Sequence, residues 1–177
     1  MIHKIIFLPV LFFCFSVFFP FISGCSSSDE LYKTFFVGDF GTQYFIQPLD
    51  FTNNLHNNEK LSVDFTFRFK TTLKDSSIVN ISLISALPFK VVDSIKIGND
   101  SGSMVLKNLS VLFSEKSDGN FISRFTTKGF LPDIKQLFNN SNWVFIAYTQ
   151  GHSFKYVTPE GTRKKIEELY SNVFTMF

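Results

Sequence analysis

From residue 61 to residue 73 apolar and polar side chains alternate. Leu61, Val63, Phe65, Phe67, Phe69, Thr71 and Leu73 fall on one face, and Ser62, Asp64, Thr66, Arg68, Lys70 and Thr72 on the other. A two-residue period is the mark of a strand with one buried and one wet side. The run is long, which predicts either a bend across two sheets or the spine of one strongly coiled sheet. Further strands are expected at 42–49, 78–85, 89–97, 103–114, 121–128, 143–149 and, shorter, 154–157. The breaks between them are rich in turn formers: Asn53-Asn54, Asn57-Asn58, Lys74-Asp75-Ser76-Ser77, Gly98-Asn99-Asp100-Ser101-Gly102 and Ser117-Asp118-Gly119-Asn120. The last two suit antiparallel hairpins.

Two segments switch to helical spacing. Phe130, Ile134, Leu137 and Phe138 lie at i, i+4, i+7 and i+8, with Asn139-Asn140 as a stop. This predicts a short helix closing one end of the sheet. A second helix is predicted from Thr158 as cap and Pro159 in the first turn, with Ile166, Leu169, Tyr170, Val173, Phe174 and Phe177 as its apolar stripe. Serial strands without β-α alternation predict a mainly β fold. The expected form is an antiparallel β-sandwich or open barrel with one short helix and a C-terminal amphipathic helix packed on it.

The first 24 residues follow a different pattern. One fixed positive charge, Lys4, precedes an uncharged apolar run from Ile5 to Phe21, and Ile22-Ser23-Gly24-Cys25 follows directly. Charged start, apolar middle and small residues at the end form an export signal rather than part of a fold. An aliphatic residue, two small residues and a cysteine resemble the lipobox of bacterial lipoprotein precursors. That resemblance covers residues 1–25 only, and no family is recognised in residues 31–177. It implies cleavage before Cys25, a diacylglyceryl thioether on its sulfur and an acylated amine. A single acyl chain holds a membrane only marginally, so a multi-chain anchor is the stable form. The alternatives are an ordinary secretory signal and an uncleaved membrane helix, the latter made awkward by Pro9 and Pro20. Ser26 follows the cysteine and Asp is delayed to Asp29, which resembles the outer-membrane rather than the inner-membrane sorting pattern of enteric bacteria.

The expected organisation is therefore a signal at 1–24, a lipidated Cys25 with a Ser-rich tether to residue 30, and one β-rich domain at 31–177. Removal of the signal leaves 153 residues, enough for a single well-cored domain. Net charge falls from +2 to +1 with the loss of Lys4, and so near-neutral a chain is not expected to bind nucleic acid. Cys14 leaves with the signal. The mature chain then has no intrachain disulfide, no thiolate metal site and no catalytic cysteine. Stability must come from packing, for which the 18 phenylalanines left of the chain's 25 after loss of the seven in the signal supply the material.

Candidate chemistry is sparse. Gly151-His152-Ser153 sets an imidazole beside a hydroxyl, the pairing a hydrolase needs, yet neighbours on a strand point to opposite faces. His56, the other histidine beyond the signal, lies in an Asn-rich loop; two isolated histidines do not make a zinc site. No nucleophile elbow, zinc-protease motif or phosphate loop occurs. No catalytic residue, cofactor or metal is therefore assigned. The residues chosen as ligand or partner contacts are Phe35 and Phe36, near the tether, and the basic run Arg163, Lys164 and Lys165, which Glu167 and Glu168 dilute. Phe35-Phe36 can also dip into a lipid surface. The aromatic load (Phe35, Phe36, Phe40, Tyr44, Phe45, Phe51, Phe65, Phe67, Phe69, Phe89) is read first as core. The second reading is a cavity for a hydrophobic ligand. The expected function is a membrane-anchored, non-catalytic binding or scaffolding module of the cell envelope with a protein partner. A hydrophobic-ligand carrier or sensor is the alternative, and a His152 hydrolase ranks third.

Overall fold

The connection from strand Gly102–Leu106 (β6) to strand Ser110–Ser117 (β7) decides how this sheet closes. In the computed structural model, which describes residues 30–55, 59–69 and 76–176, the other strands are Tyr32–Phe36 (β1), Thr42–Thr52 (β2), Lys60–Phe69 (β3), Ser76–Ser85 (β4), Ser94–Asn99 (β5), Asn120–Phe130 (β8), Val144–Thr149 (β9) and His152–Val157 (β10). They form one antiparallel sheet in the order β6-β5-β9-β10-β2-β3-β4-β8-β7, with β1 added beside β2. Thus β6 and β7 are its two ends, but only residues 107–109 separate them. Nine flat strands at about 4.8 Å spacing would put those ends roughly 38 Å apart. Four peptide steps cover about 14 Å at most, so the sheet must curl.

The result is the expected open barrel. Thr127 Oγ1 donates to the Lys107 carbonyl at 2.7 Å, tying the link to β8. Where β6 approaches β8 the contact is made through Gly129: a Cβ there would sit 3.0 Å from Val79, 3.1 Å from Ile134 and 3.2 Å from Met104. Asn108 takes φ 54, a left-handed conformation that asparagine tolerates better than most residues, and it turns the chain between the two strands.

The predicted spine is β3, which pairs along its length with β2 on one side and β4 on the other. Its odd-numbered residues Leu61, Val63, Phe65 and Phe67 are buried, as the alternation requires. Residues 70–75 lie outside the described residues, and with them the end of the predicted 61–73 run.

Two helices, Leu131–Phe138 (α1) and Glu160–Asn172 (α2), and a final 3-10 turn, Phe174–Met176, join the sheet's inward residues in one core. Phe138 stacks on Phe174 at 4.0 Å between ring centroids and meets Trp143 edge-on at 4.7 Å. Trp143 also lies against Phe51, Phe65 and Phe145, each at 6.2 Å. The carbonyls at the end of α1 are satisfied from outside the helix: Asn99 Nδ2 and Trp143 Nε1 both donate to Leu137 and Asn140.

Several local expectations need correction. Residues 103–114 form two strands rather than one. Strand 89–97 begins only at Ser94, because residues 86–93 follow an irregular path that still buries Phe89 and Val92. Phe130 does not face the core; it is the exposed N-cap of α1. Thr158 does not cap α2 through its side chain, since its hydroxyl donates to the Trp143 carbonyl and accepts from the Trp143 amide. Pro159 is the cap position itself, its carbonyl accepting from Thr162 and Arg163 at 3.1 Å. Phe177, the last member of the predicted stripe, lies outside the described residues.

Residues 31–177 form one compact unit. The signal, Cys25, the tether residues 26–29 and His56 lie outside the described residues.

Candidate functional site

Three of the exposed aromatics cluster on one hairpin. β1 and β2 pair from Tyr32 opposite Ile46 to Phe36 opposite Thr42. The turn between them carries a 3-10 segment, Gly38–Phe40, flanked by Gly38 at φ 58 and Gly41 at φ 84. Such positive φ values suit glycine, which has no Cβ to clash. Phe35, Phe36 and Phe40 are 55%, 82% and 60% exposed. Phe35 meets Phe45 edge-on at 5.4 Å. Lys33 on β1 and Arg68 on the adjoining β3 are exposed nearby, and Arg68 Nε donates to Gln43 Oε1 at 2.9 Å.

The basic run lies elsewhere. Arg163, Lys164 and Lys165 are all exposed on α2, and Lys164 pairs with Glu160 one turn back at 3.3 Å. Thr162 Oγ1 donates to the Asp50 carbonyl, which fixes the start of α2 beside the far half of β2. Phe36 pairs with Thr42, eight residues away from Asp50 and about 25 Å along the strand. The residues chosen from sequence therefore divide between two separate surfaces, the hairpin tip and the α2 face.

A third surface was not anticipated. β7 is an end strand of the sheet and seven of its eight residues are exposed. Val111, Leu112 and Phe113 are each about half exposed, and the register with β8 slips at this point, where Leu112 is the extra residue of a bulge. Beyond it Phe113 to Ser117 pair regularly with Arg124 back to Asn120. Three consecutive apolar residues between Ser110 and Ser114-Glu115-Lys116 were the available signal: an alternating strand would have placed one of them inside.

His152 opens β10 and lines a surface cleft of about 340 Å³ with Glu59, Phe89, Lys90, Thr149 and Phe154. Phe89 is held there edge-on to Phe154 at 5.1 Å and by its amide, which donates to Ser123 Oγ at 3.0 Å. The hydroxyls lining the cleft are engaged elsewhere: Ser85 donates to the Leu87 carbonyl and Thr149 to the Val91 carbonyl. The Glu59 carboxylate accepts from Asn53 at 2.7 Å. Among the described residues no hydrogen bond joins His152 to a hydroxyl or a carboxylate. No cluster of three or more metal-ligating side chains occurs among the described residues either.

Most of the remaining aromatics belong to the core. Phe51, Phe65, Phe67 and Phe145 are fully or almost fully buried and in ring contact with one another's neighbours. Tyr156 is buried among them and its hydroxyl has no hydrogen-bond partner among the described residues. Burial first, and the Glu59 carboxylate second, push its pKa far above the usual tyrosine value. On the outer face, Arg124 bridges Asp64 and Ser82 while Asn80 donates to Asp64, a polar network across β3, β4 and β8.

Compared with known proteins, the chain matches no family model, no curated protein and no solved structure.

Proposed function

We propose that this protein is a non-catalytic binding module, anchored in a bacterial envelope membrane through a lipidated Cys25, and that it recruits a protein partner by strand addition at β7. The observation that carries this reading is the exposed β7 edge. An end strand presents unpaired amide and carbonyl groups, and proteins commonly guard such edges with charge, proline or bulges. Here the guard is partial: a bulge at Leu112 and the charges of Glu115 and Lys116 protect one half of the strand, while Val111, Leu112 and Phe113 face solvent. An added strand gains main-chain hydrogen bonds from the edge and side-chain pockets from Val111 and Phe113. The lipobox supports placement at a membrane, and Ser26 favours the outer one.

The hydrophobic-carrier alternative draws less support, because ring-on-ring packing accounts for the interior aromatics. Its remaining site is the cleft beside Phe89 and Phe154, whose volume lies at the small end of ligand pockets.

The test is affinity capture of the intact lipidated protein from its own membrane, set beside Cys25→Ser and the pair Leu112→Lys with Phe113→Lys. Partners should be lost from both variants. A partner set that survives the β7 substitutions removes strand addition, and one that survives Cys25→Ser removes the anchor. A lipid co-purifying with the Cys25→Ser chain would instead favour the carrier.

A further inference from the structure

We infer that the tip of the β1–β2 hairpin is a second membrane contact, seating Phe35, Phe36 and Phe40 in the interfacial layer of the bilayer that holds Cys25. The choice of occupant rests on the reading of Cys25 as lipidated; the chemistry of the tip does not. Three phenylalanines at 55%, 82% and 60% exposure crowd the end of one short hairpin, Phe35 and Phe36 on its opposite faces and Phe40 in the turn, so apolar side chains surround the tip. Three of its amides are bonded within the turn. The Val37 amide donates to the Gly41 carbonyl at 2.9 Å, Gly41 to Gly38 at 3.1 Å, and Phe40 to Val37 at 3.2 Å. A turn without such bonds would carry bare amides into a layer that offers few partners, which is the main barrier to placing irregular backbone near lipid.

Charge is arranged in the same sense. Between Thr34 and Thr42 the only charged residue is Asp39, while exposed Lys33 on β1 and Arg68 on the adjoining β3 stand where they can meet anionic headgroups. Covalent reach makes the bilayer the occupant always at hand. Six peptide steps from Cys25 to Leu31 extend to about 22 Å at most, and Phe36 lies only about 13 Å beyond Tyr32 along β1. Anchoring thus turns insertion of the tip into an intramolecular event at high effective concentration.

The experiment places a polarity-sensitive fluorophore on Phe36→Cys in the lipidated mature protein. The mature sequence has no cysteine besides Cys25, whose sulfur is blocked by the lipid. The protein is reconstituted in phosphatidylethanolamine and phosphatidylglycerol vesicles containing lipid spin-labelled high on the acyl chain. A label at Ser117→Cys, in the β7–β8 turn, serves as the control. Expected are a blue shift and loss of most of the emission at position 36, little change at 117, and recovery of emission when Phe35→Ser and Phe40→Ser are added. Equal quenching at both positions, or none at 36 in protein that floats with the vesicles, overturns the proposal and leaves the anchor intact. A label shielded only after host membrane proteins are added assigns the tip to a protein and also overturns it. Should native Cys25 prove unmodified, the anchor reading fails by itself. Flotation of Cys25→Ser with and without the two serine substitutions then decides the tip: vesicle binding that the substitutions abolish sustains it, and no binding sinks it.

Discussion

Tyr156 shows how one side chain can contribute packing and cost free energy together. Its ring is fully buried beside Phe145 on the neighbouring strand, but its hydroxyl is buried with no partner among the described residues. An unsatisfied buried hydroxyl costs about 1–3 kcal/mol relative to one that is bonded or absent. Tyr156→Phe keeps the ring and removes that group, so urea unfolding should show stability unchanged or raised by about 1 kcal/mol. The same residue sets a pH dependence. Its pKa in the folded chain is raised, by burial first and by Glu59 second, so above about pH 10 the unfolded chain releases a proton that the folded chain retains. Stability should therefore be intact below pH 10 and fall as pH rises beyond it, and Tyr156→Phe should flatten part of that fall. Tyr44, raised by burial and by Tyr32, supplies a further share that the substitution leaves in place. A steeper alkaline loss in the variant would contradict this account. None of this was legible in the sequence, since Tyr156 reads there only as an apolar strand position; whether a hydroxyl finds a partner is a matter of three-dimensional neighbours. The same limit applied to Thr158, whose hydroxyl binds Trp143 at both backbone groups in preference to the helix it precedes.

At the scale of elements, legibility followed burial on one face. β3 buries alternate residues, β4 pairs with it and β8 with β4 in long uninterrupted registers, so periodicity located all three within a few residues. β1 escaped notice because its pattern carries no alternation: four of its five residues are exposed, and only pairing with β2 makes it a strand. β7 was fused to β6 because Val105 to Ser114 contains no glycine or proline break, although Asn108 was the one residue suited to a left-handed turn. The candidate surfaces divide in the same way. Phe35 and Phe36 were visible as aromatics close to a tether, whereas the β7 edge depends on strand order, which no local pattern encodes. Closure of the barrel offers the sharpest test at this scale. Gly129 lies where β8, α1 and β6 converge, and a methyl there would meet Val79, Ile134 and Met104 at 3.0 to 3.2 Å. Ile134 Cδ1 and Met104 Cε end flexible side chains that can give way, whereas Val79 Cγ2 belongs to a stiff β-branched one, so Gly129→Ala should fold yet lose about 1–3 kcal/mol through overpacking. Gly119→Ala, with open space around it but φ +84, should lose a smaller amount through backbone strain alone. Chemical denaturation of the two variants separates crowding from strain: equal losses would mean that Gly129 is not the tight point of closure.

For the molecule as a whole, sheet and helices share one core, and this predicts cooperative unfolding. Trp143, the only tryptophan, touches rings from β2, β3, α1 and β9, so its fluorescence reports the centre of the domain. Phe174 reaches that centre from the C-terminal segment by stacking on Phe138 at 4.0 Å and tilting against Phe67 at 5.6 Å. Truncating a buried phenylalanine to alanine costs about 3–5 kcal/mol, a large part of the roughly 5–15 kcal/mol that holds a domain folded. Phe174→Ala should therefore lower the urea midpoint strongly. Because the segment belongs to the core rather than being appended to it, tryptophan fluorescence and far-ultraviolet circular dichroism should shift together and remain coincident. An early change in helical signal with the tryptophan transition unmoved would mean that α2 and the final turn form a separable layer. The β-sheet would then have to retain Trp143 in a dry environment without them, which the contact of Phe138 with both Phe174 and Trp143 argues against.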